Sequence, residues 1–162
     1  MSENYLMLNG KRIDLTEEQV KTLTAEEKKS PFERVKKDDK YFRIEIDGEV
    51  IEDVEEEWKC DADCHSVANY CTDEEMMKQR ALHEILNRLL WRYNEEHDGD
   101  NEPWNNMKVH FYIMRSIDYI GAAGSDYCKA QGVVYFKDKE TAQSAIEEIV
   151  KPFMAEHPDF VW

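Results

Sequence analysis

The stretch TDEEMMKQRALHEILNRLLWRY, residues 72–93, decides most of the fold. Its apolar residues recur at intervals of three and four, which is the spacing of one buried face on an α-helix. Thr72 and Glu75 also have the spacing of a capping box at a helix N-terminus. The pattern predicts a helix of about 20 residues that packs on the rest of the domain through Met77, Ala81, Leu82, Ile85, Leu86, Leu89 and Tyr93.

The first 30 residues predict a hairpin followed by a short helix. Asn9-Gly10 separates two short apolar runs, and this pair favours a tight turn because both turn positions need positive φ. Thr16 and Gln19 then have capping-box spacing, which predicts a helix that ends at about Lys29. Ser30-Pro31 disfavours any continuation of that helix.

A second hairpin is predicted before the long helix. Phe42, Ile44 and Ile46 alternate with polar residues up to Asp47-Gly48, which is the pattern of a half-buried strand followed by a tight turn. Residues 55–65 are charged and show no period, so we expect a loop. Residues 67–71 predict a short strand.

Strand and helix patterns also follow the long helix. Residues 109–120 and 132–136 predict strands, and residues 121–124 predict a turn because they contain two glycines. Asp138 has the position of an N-cap for a last helix, which Pro152 and Pro158 are expected to limit. The inward face of that helix is predicted to contain Ala142, Ala145, Ile146 and Ile149.

Together these elements predict an α+β fold, with a long central helix and a C-terminal helix packed on an antiparallel sheet. We expect residues 1–30 to form an N-terminal hairpin and helix element, and residues 31–162 to form the α+β domain.

The composition limits the possible partners. Lys and Arg number 21 against 36 Asp and Glu, so the formal net charge is −15. Such a chain would be repelled by nucleic-acid phosphates and by anionic membranes. It contains no Walker loop, dinucleotide fingerprint or metalloprotease motif, and no secretory signal or membrane-spanning run. The sequence predicts a non-catalytic cytoplasmic protein without a cofactor.

The negative charge is concentrated in two stretches. Residues 44–63 contain ten acidic side chains against one lysine, and residues 94–102 contain five acidic side chains and no lysine or arginine. Crowding like charges costs folding stability, so we expect a binding partner to compensate. The predicted partner-binding residues are Glu45, Asp47, Glu49, Glu52, Asp53, Glu55, Glu56, Glu57, Trp58, Asp61, Asp63, Glu95, Glu96, Asp98, Asp100 and Glu102.

Two interpretations of these stretches remain open. Carboxylates on alternate residues of a strand lie about 6.8 Å apart, close to two phosphate steps along DNA, so the hairpin could imitate a nucleic acid. A solvated acidic hairpin that protects a strand edge is the other interpretation, and it needs no partner. Trp58 and Trp104 lie beside the acidic stretches and are either contact residues or core residues.

Several motifs resemble those of small proteins from phages and integrative elements of Gram-positive gut bacteria. These are the segments LTEEQV (15–20), SPFERV (30–35), ANYCTD (68–73) and VYFK (134–137). The resemblance implies a mobile-element setting and no catalytic residue. Combined with the acidic surface, it predicts an anti-CRISPR type of inhibitor that occupies the basic channel of a host nucleic-acid-binding nuclease.

Other chemistry is also possible from the sequence. Arg80, Arg88 and Arg92 have helical spacing and could hold an anion, which would indicate a nucleotide-binding or scaffold module instead. They could equally balance neighbouring acidic residues.

A cluster of four potential zinc ligands also lies within twelve residues. Cys60, Cys64, His65 and Cys71 are enough in number for a zinc ion, but their spacing is unusual for a zinc site. The sequence leaves zinc binding undecided.

Overall fold

The computed structural model describes residues 5–8, 10–24, 30–100, 104, 108–125 and 129–162 of the chain. The elements in chain order are β1 (Tyr5–Leu8), β2 (Lys11–Asp14), α1 (Glu17–Thr24), β3 (Lys40–Ile44), β4 (Val50–Val54), α2 (Lys59–Ser66), α3 (Glu74–Glu96), β5 (His110–Arg115), β6 (Ile120–Ser125), β7 (Tyr135–Phe136), α4 (Lys139–Ala145), a π-helical turn (Ile146–Val150) and α5 (Lys151–Glu156). The predicted α+β class is confirmed. The described strands form three small antiparallel sheets, β1–β2, β3–β4 and β6–β5–β7.

The N-terminal hairpin and the start of α1 are confirmed. β1 and β2 pair from Tyr5–Asp14 to Leu8–Lys11, and Gly10 has a φ of +77°. The backbone N–H of Thr16 donates to Gln19 Oε1 at 2.9 Å, and the N–H of Gln19 donates to Thr16 Oγ1 at 3.2 Å. This reciprocal pair is the predicted capping box. The predicted end of this helix at about Lys29 lies outside the described residues, and the domain division after residue 30 stays a prediction.

The long helix is confirmed as α3, and it contributes to two hydrophobic clusters. Its first half contributes Met77 and Ala81 to a small cluster with Ile44 and Cys71. Its second half contributes to the main core, which contains Leu86, Leu90, Tyr93, Val134, Phe136, Ala142, Ala145, Val150, Phe153 and Phe160. α3 therefore joins the β3–β4 hairpin to the C-terminal half of the protein.

The N-cap of α3 differs from the prediction. Asp73 Oδ1 accepts the N–H of Met76 at 3.0 Å, so Asp73 is the cap. Thr72 instead donates its backbone N–H to the carbonyl oxygen of Pro31 at 2.8 Å. The predicted strand at 67–71 is also wrong, because Ala68 has a φ of +56° and only Cys71 forms a bridge, with Phe42.

The β6–β5–β7 sheet corrects the predicted strand at 109–120. The chain turns at 116–119, where the N–H of Ser116 donates to the carbonyl oxygen of Tyr119 at 2.8 Å. Residues 121–124 therefore lie inside β6 and form no turn. Gly124 allows close packing within the sheet, because a Cβ at this position would lie 2.5 Å from Val109 Cγ1. The strand predicted at 132–136 is limited to Tyr135 and Phe136.

The last helix begins as predicted but continues past Pro152. Thr141 donates its N–H to Asp138 Oδ1 at 2.7 Å, which confirms the cap. Proline normally interrupts a helix because it lacks an N–H and crowds the preceding turn. The π-helical turn Ile146–Val150 directly before it widens the backbone, so the helix reaches Glu156. Among the described residues, no helix combines the length and the hydropathy that a membrane span requires.

Candidate functional site

The acidic residues of the β3–β4 hairpin do not form one row. Side chains alternate between the two faces of a strand, so Glu52 and Asp53 lie on opposite faces. Lys40 forms an ion pair with Glu52 at 2.7 Å. Arg43 pairs with Glu45 at 2.7 Å and with Asp53 at 2.8 Å. These carboxylates are balanced within the chain, which weakens the predicted phosphate-like row.

The pKa of Asp53 is consistent with this local balance. Burial raises the pKa of Asp53, but the hydrogen bonds from Arg43 and from the N–H of Val54 outweigh burial and lower it. Asp53 therefore stays ionised and is committed to Arg43.

Glu55 is a structural carboxylate. Its side chain is only 1% exposed. Its two oxygens accept hydrogen bonds from Arg34 Nε at 2.8 Å and from Arg34 Nη2 at 2.7 Å. The Tyr70 hydroxyl donates to it at 3.0 Å, and the N–H of Glu57 donates at 2.8 Å. The hydrogen bonds from Arg34 lower the pKa of Glu55 to about 2 despite its burial. The prediction that Glu55 contacts a partner is therefore wrong.

Asp61 has the same role at the start of α2. It is 2% exposed and accepts the Tyr41 hydroxyl at 2.9 Å. Its other oxygen accepts the N–H groups of Glu56 at 3.1 Å and Trp58 at 2.9 Å. These bonds begin a helix where the sequence predicts a loop, and they remove Asp61 from the predicted contact residues. Asp at the third helical position after Trp58 is the sequence signal that could have indicated this.

The two buried carboxylates together fix an exposed loop. We call Glu56, Glu57 and Trp58 the acidic tip. Their three backbone N–H groups all donate to Glu55 or Asp61, as described above, and Glu57 is held at a φ of +62°. The Trp58 residue is 61% exposed, and both glutamates are exposed. The acidic tip is an exposed surface with a preorganised backbone, because its three N–H groups are already hydrogen-bonded within the chain.

Tyr41 and Tyr70 support the acidic tip through the two buried carboxylates, and sequence analysis did not identify either tyrosine. Their rings stack with centroids 4.0 Å apart, and each hydroxyl donates to one of the buried carboxylates. Burial raises the pKa of both hydroxyls, that of Tyr70 to about 12. The pairing of Arg34 with Glu55 was not predicted either, because the two residues lie 21 positions apart and no local sequence pattern indicates the pair.

The surroundings of the acidic tip carry both signs of charge. Lys36 and Lys37 line a cavity of about 320 Å³ beside Glu57. Asp63 is exposed on α2, whereas Asp47 and Glu49 are exposed at the opposite end of the β3–β4 hairpin. The length of β4 separates those two residues from the acidic tip by about 17 Å.

Two carboxylates of the second acidic stretch, Asp98 and Asp100, have partners within the chain. Asp98 pairs with Lys137 at 2.7 Å, which lowers the pKa of Asp98. Asp100 is 5% exposed and accepts a very short hydrogen bond from His110 Nδ1. Asp100 is therefore not available to a partner, whereas Asp98 is 86% exposed in its ion pair and stays accessible. Glu95 and Glu96 are exposed in the last turn of α3, and Glu102 lies outside the described residues.

Trp104 also packs inside the protein. Its ring stacks on the buried ring of His110 with centroids 3.9 Å apart and meets Tyr135 edge-on at 4.8 Å. The core interpretation therefore applies to Trp104, whereas Trp58 is exposed and its role as a contact residue stays a prediction.

The arginines of α3 form no evident anion site within the described part of the chain. Glu84 pairs with Arg80 at 3.0 Å and more weakly with Arg88 at 3.5 Å, which favours charge balance over an anion site. Arg92 is exposed beside Trp91.

The four potential zinc ligands are also dispersed. Cys71 is fully buried in the small cluster, and His65 Nε2 lies 3.2 Å from the carbonyl oxygen of Phe32. Cys60 is exposed, and burial raises the pKa of the Cys64 thiol, which disfavours the thiolate that zinc binds. In the described part of the chain, no three His, Cys, Asp or Glu side chains are arranged to hold a metal ion.

Comparison of the chain with protein-family models, with curated proteins and with solved structures finds no significant match. The resemblance to phage and mobile-element proteins stays a prediction.

Proposed function

We propose that this protein is a non-catalytic inhibitor that docks the acidic tip on a basic nucleic-acid-binding protein and blocks the channel for the nucleic acid. The observation that carries the proposal is the fixed backbone of Glu56, Glu57 and Trp58. Binding loses less conformational entropy when a contact loop is already ordered.

The chemistry of the acidic tip favours a basic protein partner. Trp58 provides a large exposed apolar surface of the kind that dominates interface energies. Glu56 and Glu57 flank it and favour lysine or arginine on the partner. The net charge of −15 would accelerate association with a basic channel and disfavours direct binding of nucleic acid.

The step from a basic protein to a defence nuclease rests on the resemblance to phage and mobile-element proteins. RNA-guided nucleases hold the guide and target in positively charged channels. An inhibitor of the anti-CRISPR type would lie in such a channel and prevent DNA from entering. The internal ion pairs of the hairpin support occlusion by a docked loop more than imitation of a long phosphate row.

The test is binding to a purified guide-loaded RNA-guided nuclease, measured by biolayer interferometry at low and at high salt. We expect a salt-sensitive complex that lowers DNA binding by the nuclease. Trp58→Ala should weaken the complex by about 30-fold, which corresponds to about 2 kcal/mol. The double variant E56Q/E57Q should mainly slow association.

A matched control separates this surface from the total charge. E156Q/D159N removes the same two charges from exposed positions near the end of the chain, and we expect it to change Kd by less than about twofold. If the control weakens binding as much as E56Q/E57Q, or if the nuclease is neither bound nor inhibited, the proposal is wrong for that nuclease.

A further inference from the structure

We propose that a cavity between α3, β5 and residues 132–134 is a binding site for a neutral, mostly apolar small molecule about the size of two or three fused aromatic rings. This site is independent of the acidic tip. Its volume of about 460 Å³ lies in the range of small-molecule pockets.

The short pairing of β7 explains why the cavity exists. β7 pairs with β5 only at Phe111–Phe136 and Tyr112–Tyr135. If the same register continued, Val134 would pair with Ile113, but residues 133–134 leave the sheet. The chain just before β7 therefore diverges from β5 and leaves a gap above α3.

The walls of the cavity are mainly hydrophobic. Leu86, Leu90 and Phe136 belong to the main core, so the cavity reaches directly into it. Covering apolar surface of this kind is favourable, at roughly 25 cal/mol per Å². The apolar lining residues are Leu86, Leu90, Ile113, Val133, Val134, Phe136 and Trp162.

The polar groups at the mouth have no uncompensated charge. Arg80 and Glu84 pair at 3.0 Å, and Arg80 also donates to the carbonyl oxygen of Ala68. His83 Nε2 lies 2.9 Å from the carbonyl oxygen of Val161. A phosphate needs an uncommitted cation, so the mouth does not favour nucleotides.

Asn87 provides the remaining polar recognition group. It is exposed, lines the cavity and has no hydrogen-bond partner among the described residues. An amide offers both a donor and an acceptor. The site therefore fits an uncharged aromatic ring system with one hydrogen-bonding group.

The full chain can be titrated with 1-aminoanthracene, a neutral fluorescent dye, and with the anionic dye 8-anilinonaphthalene-1-sulfonate. We expect saturable binding of the neutral dye with one site per chain. The anionic dye should bind at least tenfold more weakly. Tighter binding of the anionic dye would overturn the proposed ligand class.

Variants of the lining residues test the location. Val133→Phe should fill the cavity and weaken the neutral dye at least tenfold, whereas Val161→Phe adds the same ring at an exposed position outside it and should change Kd less than twofold. Asn87→Ala, at an exposed helical position where alanine is well tolerated, should weaken binding about threefold or more. Arg80→Gln should have little effect on the neutral dye. Circular dichroism checks that each variant folds.

Two results would refute the site. One is unchanged dye binding in both Val133→Phe and Asn87→Ala. The other is a dye signal that appears only when the chain dimerises, as measured by light scattering, because the apolar surface would then serve a second copy of the chain.

Discussion

Replacing Glu55 with glutamine is expected to reveal how strongly the buried carboxylate supports the acidic tip. Glutamine preserves the size of the side chain but not its charge, and its amide N–H groups would face the donors of Arg34 and Tyr70. Removing one partner of a buried ion pair costs about 3–5 kcal/mol. Because Arg34 is 37% exposed, we expect the lower end of that range.

The lowered pKa of Glu55 gives a similar value for the stability that this carboxylate contributes. A carboxyl whose pKa is about 2 in the folded state and 4.5 ordinarily contributes about 3–4 kcal/mol of stability, since each pKa unit corresponds to about 1.4 kcal/mol. Because the folded-state pKa is depressed, this contribution is fully present above about pH 4.5 and is lost as the pH falls toward 2.

Urea denaturation followed by far-UV circular dichroism measures both the stability lost in Glu55→Gln and the dependence of that loss on pH. We expect Glu55→Gln to lower the free energy of unfolding by about 3 kcal/mol at pH 7, and the difference from the parent protein to shrink as the pH falls below 4.5. Glu52→Gln is the control, because its exposed pair with Lys40 contributes less than about 1 kcal/mol. Equal losses in the two variants, or a loss for Glu55→Gln that does not change with pH, would refute the reasoning.

Two further substitutions test the local structure. Asp73→Ala should lower the free energy of unfolding by about 1 kcal/mol through loss of the hydrogen bond to Met76, and urea denaturation should show a smaller loss for Thr72→Ala if Asp73 is the cap. Gly48→Ala should lower the thermal midpoint, because Gly48 has a φ of +96° and a Cβ there would lie 2.7 Å from Ile85 Cδ1; the cost is about 1–3 kcal/mol, and an unchanged midpoint would contradict the assigned turn.

Sequence periodicity predicted the long elements well, because the spacing of apolar residues within one stretch of the chain is enough to identify them. α3 and the β3–β4 hairpin follow directly from such patterns. The start of α2 did not, because it depends on Asp61 accepting two N–H groups within a stretch dominated by repulsive charge. The turn at 116–119 was missed because the glycines that suggest a turn serve close packing inside β6 instead.

The candidate site was predictable only in outline. The sequence shows where acidic residues are concentrated, but it does not show which carboxylates are buried. Glu55 and Asp61 were predicted to contact a partner. In the structure they accept hydrogen bonds from Arg34, Tyr41 and Tyr70, and they hold the backbone of the acidic tip instead. The exposure of Trp58 follows from the same contacts, because they fix the loop with its side chain outward.

The distribution of charge also changes the expected mode of recognition. Of the ten acidic side chains in residues 44–63, three form ion pairs with Lys40 or Arg43 and two are buried. The exposed carboxylates without an ion pair among the described residues are Asp47, Glu49, Glu56, Glu57 and Asp63. They lie at two ends of a hairpin instead of along one line, so a partner that only tracks a phosphate backbone would contact few of them at once. Recognition would then depend on Trp58 entering an apolar pocket within a basic surface, and such a complex should lose less affinity with added salt than a nucleic acid does on the same protein.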